Sequence, residues 1–312
     1  MSLCIIFCQS SGVNDCCRKT EQNKTKNIIK SFLRSPIIFT FAVLFNQDCC
    51  LCTLHLRRWS RQCHKKMGEM KYAIIAAGEG SRLAQEGIEA PKPLVVVNGE
   101  KLIDRLLRIF TENAAEEIVV ICNNLTPLVA QHLDHIQRNG LHGQRIPLRY
   151  VVKTTPSSMH SFFEISHMLN DSPFCLTTVD TIFREDDFKA YIKHFVQAVE
   201  QGTADGVMGV TDYIDDEKPL YVAVDDDMRI TAFLDADDHC RFISGGIYGL
   251  TPQSITTLQG CMQRGESRMR NFQRALIKDG QRLEAMAFSK VLDIDHASDI
   301  AKAEAFLSHE MQ

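Results

Sequence analysis

The sequence predicts an α/β fold: a mixed, mainly parallel sheet flanked by helices, running into a β-rich second half of the same globule. Three observations predict it. Between residues 71 and 180, short apolar runs alternate with segments of helical period, the signature of parallel strands joined by helical crossovers. After residue 204 the texture changes to short strand-like pieces separated by turn signals. No Ser/Gly-rich linker and no internal repeat divides the two regions.

The elements follow in order. "YAIIAA" is short, apolar and ended by glycines, so it is a buried strand. "KLIDRLLRIFTENA" places Leu102, Ile103, Leu106, Leu107 and Phe110 on one helical face. "EIVVIC" is the second strand, and "TPLVAQHLDHIQRN" a second helix stopping near Gly140. "PLRYVV" is the third strand, "MHSFFEISHMLN" a helix, and "PFCLTTVD" a fourth strand ending at Asp180. "DGVMGVTD", "PLYVAVDDDMRITAFLDADD" and "RFISGGIYGLT" are strand-like, with "DDDM" as a hairpin turn. "VLDIDHASDIAKAEAFL" is a strand ending near Asp295, then a helix with Ser298 as its N-cap. In a sheet of this kind, ligands sit at the carboxyl ends of the strands.

The chain has 312 residues, enough for one large α/β domain or two small ones. Its overall composition is that of a soluble globular protein, but residues 1–66 depart from it. They hold eight of the twelve cysteines and eleven Lys and Arg against three Asp and Glu, a net of +8. The whole chain is −4, so residues 67–312 carry −12. An acidic body argues against nucleic acid as a partner. The apolar run "PIIFTFAVLF" is too short for a bilayer, which takes about 20 residues, so no membrane partner is expected. "CCLC" lacks a second pair at zinc spacing. The expectation is a non-conforming extension over 1–66, disordered or poorly packed, and a functional domain over 67–312. Either a start assigned too far upstream, with Met67 and Met70 just before the first strand, or a transit peptide would account for the extension. The scattered Cys122, Cys175, Cys240 and Cys261 suit a reduced, cytoplasmic protein.

"AAGEGSRLAQEGIEAPKPL", residues 76–94, carries the chemistry. A glycine-rich turn between strand and helix exposes backbone N–H groups that can wrap a phosphate. It is not a dinucleotide fingerprint, because Leu83 stands where the third glycine would be, and no Gly-Lys-Ser/Thr follows to make a Walker A loop. The remaining pattern is Gly-x-Gly-Ser-Arg, then Pro-Lys-Pro-Leu. With "TTVDTIF", "SGGIYGL" and "LDIDHASDIAKAEAFL", it resembles the sugar-phosphate nucleotidylyltransferases over about residues 71–306. The resemblance implies a Rossmann-like sheet of the nucleotide-diphospho-sugar transferase type with a β-rich acceptor-binding half. It implies transfer of a nucleotidyl group from a nucleoside triphosphate to a phosphorylated small molecule, most simply a sugar 1-phosphate, with release of pyrophosphate and help from Mg²⁺.

The resemblance also implies roles. Ala77, Gly78, Gly80, Ser81, Lys153 and Ser158 would bind the nucleotide. Arg82 would clamp the β- and γ-phosphates with its planar fork, and Lys92 would neutralise charge at the α-phosphate. Asp180 and Asp295 would hold Mg²⁺, with Asp293 the lesser candidate because alternation turns it the same way but deeper. No general base is needed, since the attacking phosphate is already ionised near pH 7. Gly246, Asp235, Arg268 and Arg270 are the acceptor-binding candidates; the cluster of Arg268, Arg270 and Asn271 reads equally as a solvated helix face. His296 reads as incidental.

Two departures keep the substrates open. Lys153 stands where many members have Gln, and Ser157-Ser158 where they have glycines, so the base is unassigned. "AFLDADD" has Asp235 but no lysine of the family's Glu-Lys-Pro, which leaves room for an acceptor other than a hexose 1-phosphate. A molybdenum-cofactor guanylyltransferase, a choline-phosphate cytidylyltransferase and a catalytically silent nucleotide-binding regulatory module are the alternatives. A homo-oligomer is compatible with the sequence.

Overall fold

The computed structural model of the chain describes residues 70–215 and 218–308, and the expectations for residues 1–66 lie outside the described residues. The central sheet has nine strands. Strand β1 (Met70–Ala76) lies at its middle, parallel to β4 (Ala115–Cys122) on one side and β6 (Phe174–Thr178) on the other. Strand β5 (Leu148–Val152) extends the sheet in parallel beyond β4.

The β-rich half is joined antiparallel. Strand β11 (Phe242–Leu250) pairs with β6 along its second half and with β8 (Gly206–Thr211). Strands β9 (Tyr221–Val224) and β10 (Ile230–Leu234) form the expected hairpin, with β9 against the start of β11. Strand β12 (Leu283–Ala287) runs parallel to β8. Two further ribbons lie off the main sheet: β2 (Val96–Val97) with β3 (Glu100–Lys101), and β7 (Thr181–Phe183) with β13 (Val291–Asp293).

Alternation along β1 sets up two cores, because successive side chains in a strand face opposite ways. Tyr72, Ile74 and Ala76 face helices α2 (Leu102–Glu112), α3 (Pro127–Asn139) and α5 (Glu185–Gln201). Ala73, Ile75 and Ala77 face α4 (Ser158–Ile165), α6 (Gln253–Gln263) and α7 (Met269–Lys278). On the first face Tyr72, Phe110, Phe183, Phe188 and Tyr191 stack as one aromatic cluster around Phe188.

Three sequence expectations are corrected. Strand β6 stops at Thr178, so Asp180 sits in the turn after it rather than at the strand end, whereas β13 stops at Asp293, near Asp295 as expected. Helix α8 (Ala297–Ser308) already includes Ser298, which is therefore not its N-cap. The amides leading into it and its first N–H are met by carboxylates: Asp299 accepts from the amides of Asp295 and His296, and Glu86 accepts from Ala297 at 2.6 Å. An acidic group suits that end of a helix better than a hydroxyl, since it also meets the positive end of the helix dipole. Asp293 is exposed rather than deeper than Asp295.

Candidate active site

Two local arrangements build the site at the carboxyl end of β1 and β6. The first is the turn after β1. Gly80, with φ +64°, is the residue before helix α1 (Ser81–Gln85), a left-handed conformation that glycine takes without strain. A Cβ at Gly80 would also lie 3.1 Å from the Cβ of Lys92, so the glycine lets the Lys92 loop approach. Lys92 opens a single 3₁₀ turn between Pro91 and the buried Pro93, which fixes where its side chain starts. The second arrangement is the β7–β13 ribbon. It pairs Thr181 with Asp293, and the Ile294 amide donates to the Asp180 carbonyl at 3.1 Å. Asp180 and Asp295, 115 residues apart, are thereby brought side by side.

The four residues converge. Lys92 Nζ lies 2.5 Å from Asp180 Oδ2 and 2.7 Å from Asp295 Oδ1. Arg82 Nη1 donates to Asp295 Oδ2 at 3.1 Å. Burial alone would lower the Lys92 pKa, but Asp180 and then Asp295 outweigh it and hold the ammonium above the ordinary lysine value. Lys92 is therefore charged throughout the neutral range. The Glu86 carboxylate reaches His296 Nδ1 at 2.6 Å, lacing α1 to the start of α8 beside Asp295. That contact holds the Glu86 carboxyl below its usual range and raises His296. His296 thus has a structural partner, a link the sequence did not reveal.

Two clefts meet at this cluster. The smaller, about 240 Å³, is lined by Gly78, Gly80, Ser81, Arg82, Lys92, Ser158, Asp180 and Asp295 among others. The larger, about 370 Å³, is lined by Arg82 and Asp295 again, with Thr211, Tyr213, Asp215, Lys218, Ser244, Gly245, Asp293, Asp299 and Lys302. Gly245 and Gly246 form an irregularity in the β11–β8 pairing, where Gly246 takes φ +70° close to Thr181 Oγ1. The expected Gly246 thus shapes the backbone, while its neighbour Gly245 lines the cleft.

The remaining sequence candidates line neither cleft. Lys153 pairs with Glu164 on α4 at 2.6 Å. Asp235 is held by Arg270 at 2.5 Å and Arg274 at 2.8 Å, tying β10 to α7. Arg268 is exposed at the residue before α7. Ala77 is buried under the turn, behind Gly78. The cations of the larger cleft, Lys218 and Lys302, were missed although both stand in quoted or family-like stretches: Lys302 lies within "LDIDHASDIAKAEAFL", and Lys218 is the lysine of Glu217-Lys218-Pro219, a Glu-Lys-Pro that falls ahead of "AFLDADD". Lys302 is one lysine on a C-terminal helix, and only the fold puts it 2.8 Å from Asp215 across 87 residues.

A family model described as nucleotidyl transferase matches residues 71–310. The chain belongs to that family. It is a nucleotidyltransferase, as the resemblance implied. It is 25% identical over 249 residues to a UTP–glucose-1-phosphate uridylyltransferase of Haloferax volcanii, covering 77% of this chain and 98% of that protein. Among solved structures, it resembles the inositol-1-phosphate CTP transferase of T. maritima with a TM-score of 0.63 at 18% identity, over 77% of this chain and 96% of that one. It resembles a putative glucose-1-phosphate thymidylyltransferase of Bacillus anthracis with a TM-score of 0.65 at 18% identity, over 76% and 94%. These likenesses give the fold, with its largely parallel sheet, as expected. No helix among the described residues is long and apolar enough to cross a membrane.

The donor set is one that Mg²⁺ fits. Asp180 Oδ1 is buried with no hydrogen-bond partner, aimed from the turn beside Lys92 and Asp295. Among the described residues no three His, Cys, Asp or Glu side chains are grouped so as to hold a metal ion by themselves. Magnesium is served well by two carboxylates, because it keeps several waters and takes phosphate oxygens as ligands.

Proposed function

We propose that residues 67–312 form a Mg²⁺-dependent enzyme that transfers a nucleotidyl group from a nucleoside triphosphate to a phosphorylated polyol, a sugar 1-phosphate in the simplest case, releasing pyrophosphate. The observation that carries this reading is the shared wall: Arg82 and Asp295 line both clefts, so ligands in the two would touch at that point.

The smaller cleft takes the triphosphate. Gly78, Gly80 and Ser81 supply backbone to its phosphates, Arg82 grips the outer ones and Lys92 meets the α-phosphate. Asp180 and Asp295 would hold the metal, which when bound supplies charge neutralisation at the phosphates. The chain's own task is to hold two anions in line against their repulsion, and Arg82 and Lys92 are placed for that. The larger cleft takes the acceptor. Lys218 and Lys302 are lining cations beside Arg82, with Lys302 held between Asp215 at 2.8 Å and Asp299 at 3.2 Å, and Thr211 and Ser244 offer groups suited to hydroxyls. Tyr213 is the aromatic residue lining that cleft, and its ring face is covered by Lys290 Nζ at 3.8 Å. A cation already on one face weakens that ring's attraction for a second one, so the cleft favours a polyol over choline. A nucleoside triphosphate as substrate, together with the free Cys122, Cys175, Cys240 and Cys261, supports a cytoplasmic place.

The metal role is tested with Asp180→Asn, which keeps the shape and removes the charge. Pyrophosphate release should fall by about 10²-fold or more with the thermal midpoint nearly unchanged. Release that is undiminished, and equally fast in a chelator, would remove Asp180 and the metal from the reaction.

A further inference from the structure

We infer that Asn123 is the residue that aims the nucleotide loop, although it lines neither cleft. The inference rests on the triphosphate lying over residues 78–81. Asn123 follows the last residue of β4, where Cys122 is paired with Ala76, so it lies beside the chain as β1 turns into the loop. Its side chain is buried and fully used. The Nδ2 group donates to the carbonyl of Ala77 at 3.2 Å and to that of Gly78 at 3.0 Å. Its Oδ1 accepts from the Leu125 amide at 3.1 Å, which anchors the side chain to its own loop.

Two consecutive carbonyls held on one side fix what faces the other. A trans peptide is planar, with C=O and N–H pointing opposite ways. Holding the Ala77 carbonyl turns the Gly78 N–H away from Asn123, and holding the Gly78 carbonyl does the same to the Glu79 N–H. Gly78 lines the smaller cleft, and Gly80 and Ser81 line it just beyond Glu79, so on our inference the two donors turned away from Asn123 serve that side of the loop. A Cβ at Gly78 would meet nothing within 4 Å. Crowding by the protein therefore does not call for glycine there; what it keeps clear is the space in front of the donors. A buried amide that supplies two donors and one acceptor is a specific choice, since Asp offers no donor and Leu neither. Asn123 is thus a positioning residue, acting on phosphate through the loop.

The test compares wild type with Asn123→Asp and Asn123→Leu in steady-state pyrophosphate release, varying triphosphate and acceptor separately. The triphosphate KM should rise about tenfold or more in both variants while the acceptor KM stays within about twofold. Asn123→Asp retains the Leu125 contact but sets a carboxylate oxygen against the Ala77 and Gly78 carbonyls, so its thermal midpoint should fall, and the KM values of both variants are compared at a temperature where each is fully folded. Amide exchange of residues 77–81 in the wild-type chain gives a second readout that needs no variant: saturating triphosphate should protect the Gly78 and Glu79 amides. Unchanged triphosphate KM in either variant would overturn the inference. So would a parallel loss in both KM values and the midpoint, or exchange at 77–81 indifferent to triphosphate. A wild-type chain that neither binds triphosphate nor releases pyrophosphate would overturn the reading beneath it, and that outcome is visible before any variant is made.

Discussion

Lys92→Met should lower kcat for pyrophosphate release by about 10²–10³-fold, the order lost when one preorganised charge stabiliser is removed from a nucleotidyl-transfer site. The methionine keeps length and packing and removes the charge alone. In the resting chain Lys92 bridges Asp180 and Asp295, so under the proposed reading its ammonium starts beside the two carboxylates and passes to the α-phosphate as metal and triphosphate take them up. Lys92→Arg should rescue little. The wide planar guanidinium cannot take the place of a compact ammonium between two carboxylates in a loop fixed by Pro91 and Pro93. The sign of the pKa shift adds a condition. Because the Lys92 pKa is raised above its ordinary 10.5, its charge is present at every lower pH and is lost only above that value. Any fall in rate between pH 8 and pH 10 should thus persist in shape in the Lys92→Met variant. A variant as fast as wild type would remove Lys92 from the chemistry.

The largest effect on stability is expected at Phe188. It is fully buried and contacts the rings of Tyr72, Phe110, Phe183 and Tyr191, with centroids between 4.9 and 6.3 Å. Phe188→Ala should cost about 3–5 kcal/mol, since it forfeits both transfer energy and packing around an unfilled cavity. At about 2–4 °C per kcal/mol for a domain of this size, the thermal midpoint should drop by roughly 6–20 °C. The loss reaches the site through Phe183, which sits on β7, the strand that pairs with β13 just before Asp295. Activity should therefore fall more steeply with temperature than in wild type, while kcat well below the midpoint stays within a few-fold. Differential scanning calorimetry with a temperature series of rates checks both parts.

Much of the fold and the heart of the site were legible because they depend on local pattern. The apolar run of β1 and the turn "DDDM" fix their conformations within a few residues, as do Gly80 and Pro91-Lys92-Pro93. The four charged residues of the cluster were legible through their motifs. What escaped was long-range. Helix α5 is the local exception, since three acidic residues in its first turn and apolar Phe188, Tyr191, Ile192 and Phe195 at helical spacing mark it in the sequence. Asp293 and Asp295 could not be ranked by alternation, because the strand ends between them and alternation ends with it. Arg270 and Asp235 looked like site residues by their charge, but each is the other's partner, and a sequence cannot show that a charge is already paired. Lys302 is the converse case, an ordinary helix lysine that the fold carries to the wall of the larger cleft.

The central claim is that two substrates meet at Arg82 and Asp295. It is tested most directly by following pyrophosphate release from the full chain with Mg²⁺, using ATP, CTP, GTP and UTP in turn, each with and without a panel of sugar 1-phosphates, a cyclitol phosphate and phosphocholine. The account predicts release that requires one triphosphate and one phosphorylated polyol together, with none from the triphosphate alone and none with phosphocholine. Triphosphate that binds but yields no pyrophosphate with any acceptor, or release that ignores the acceptor, would contradict it.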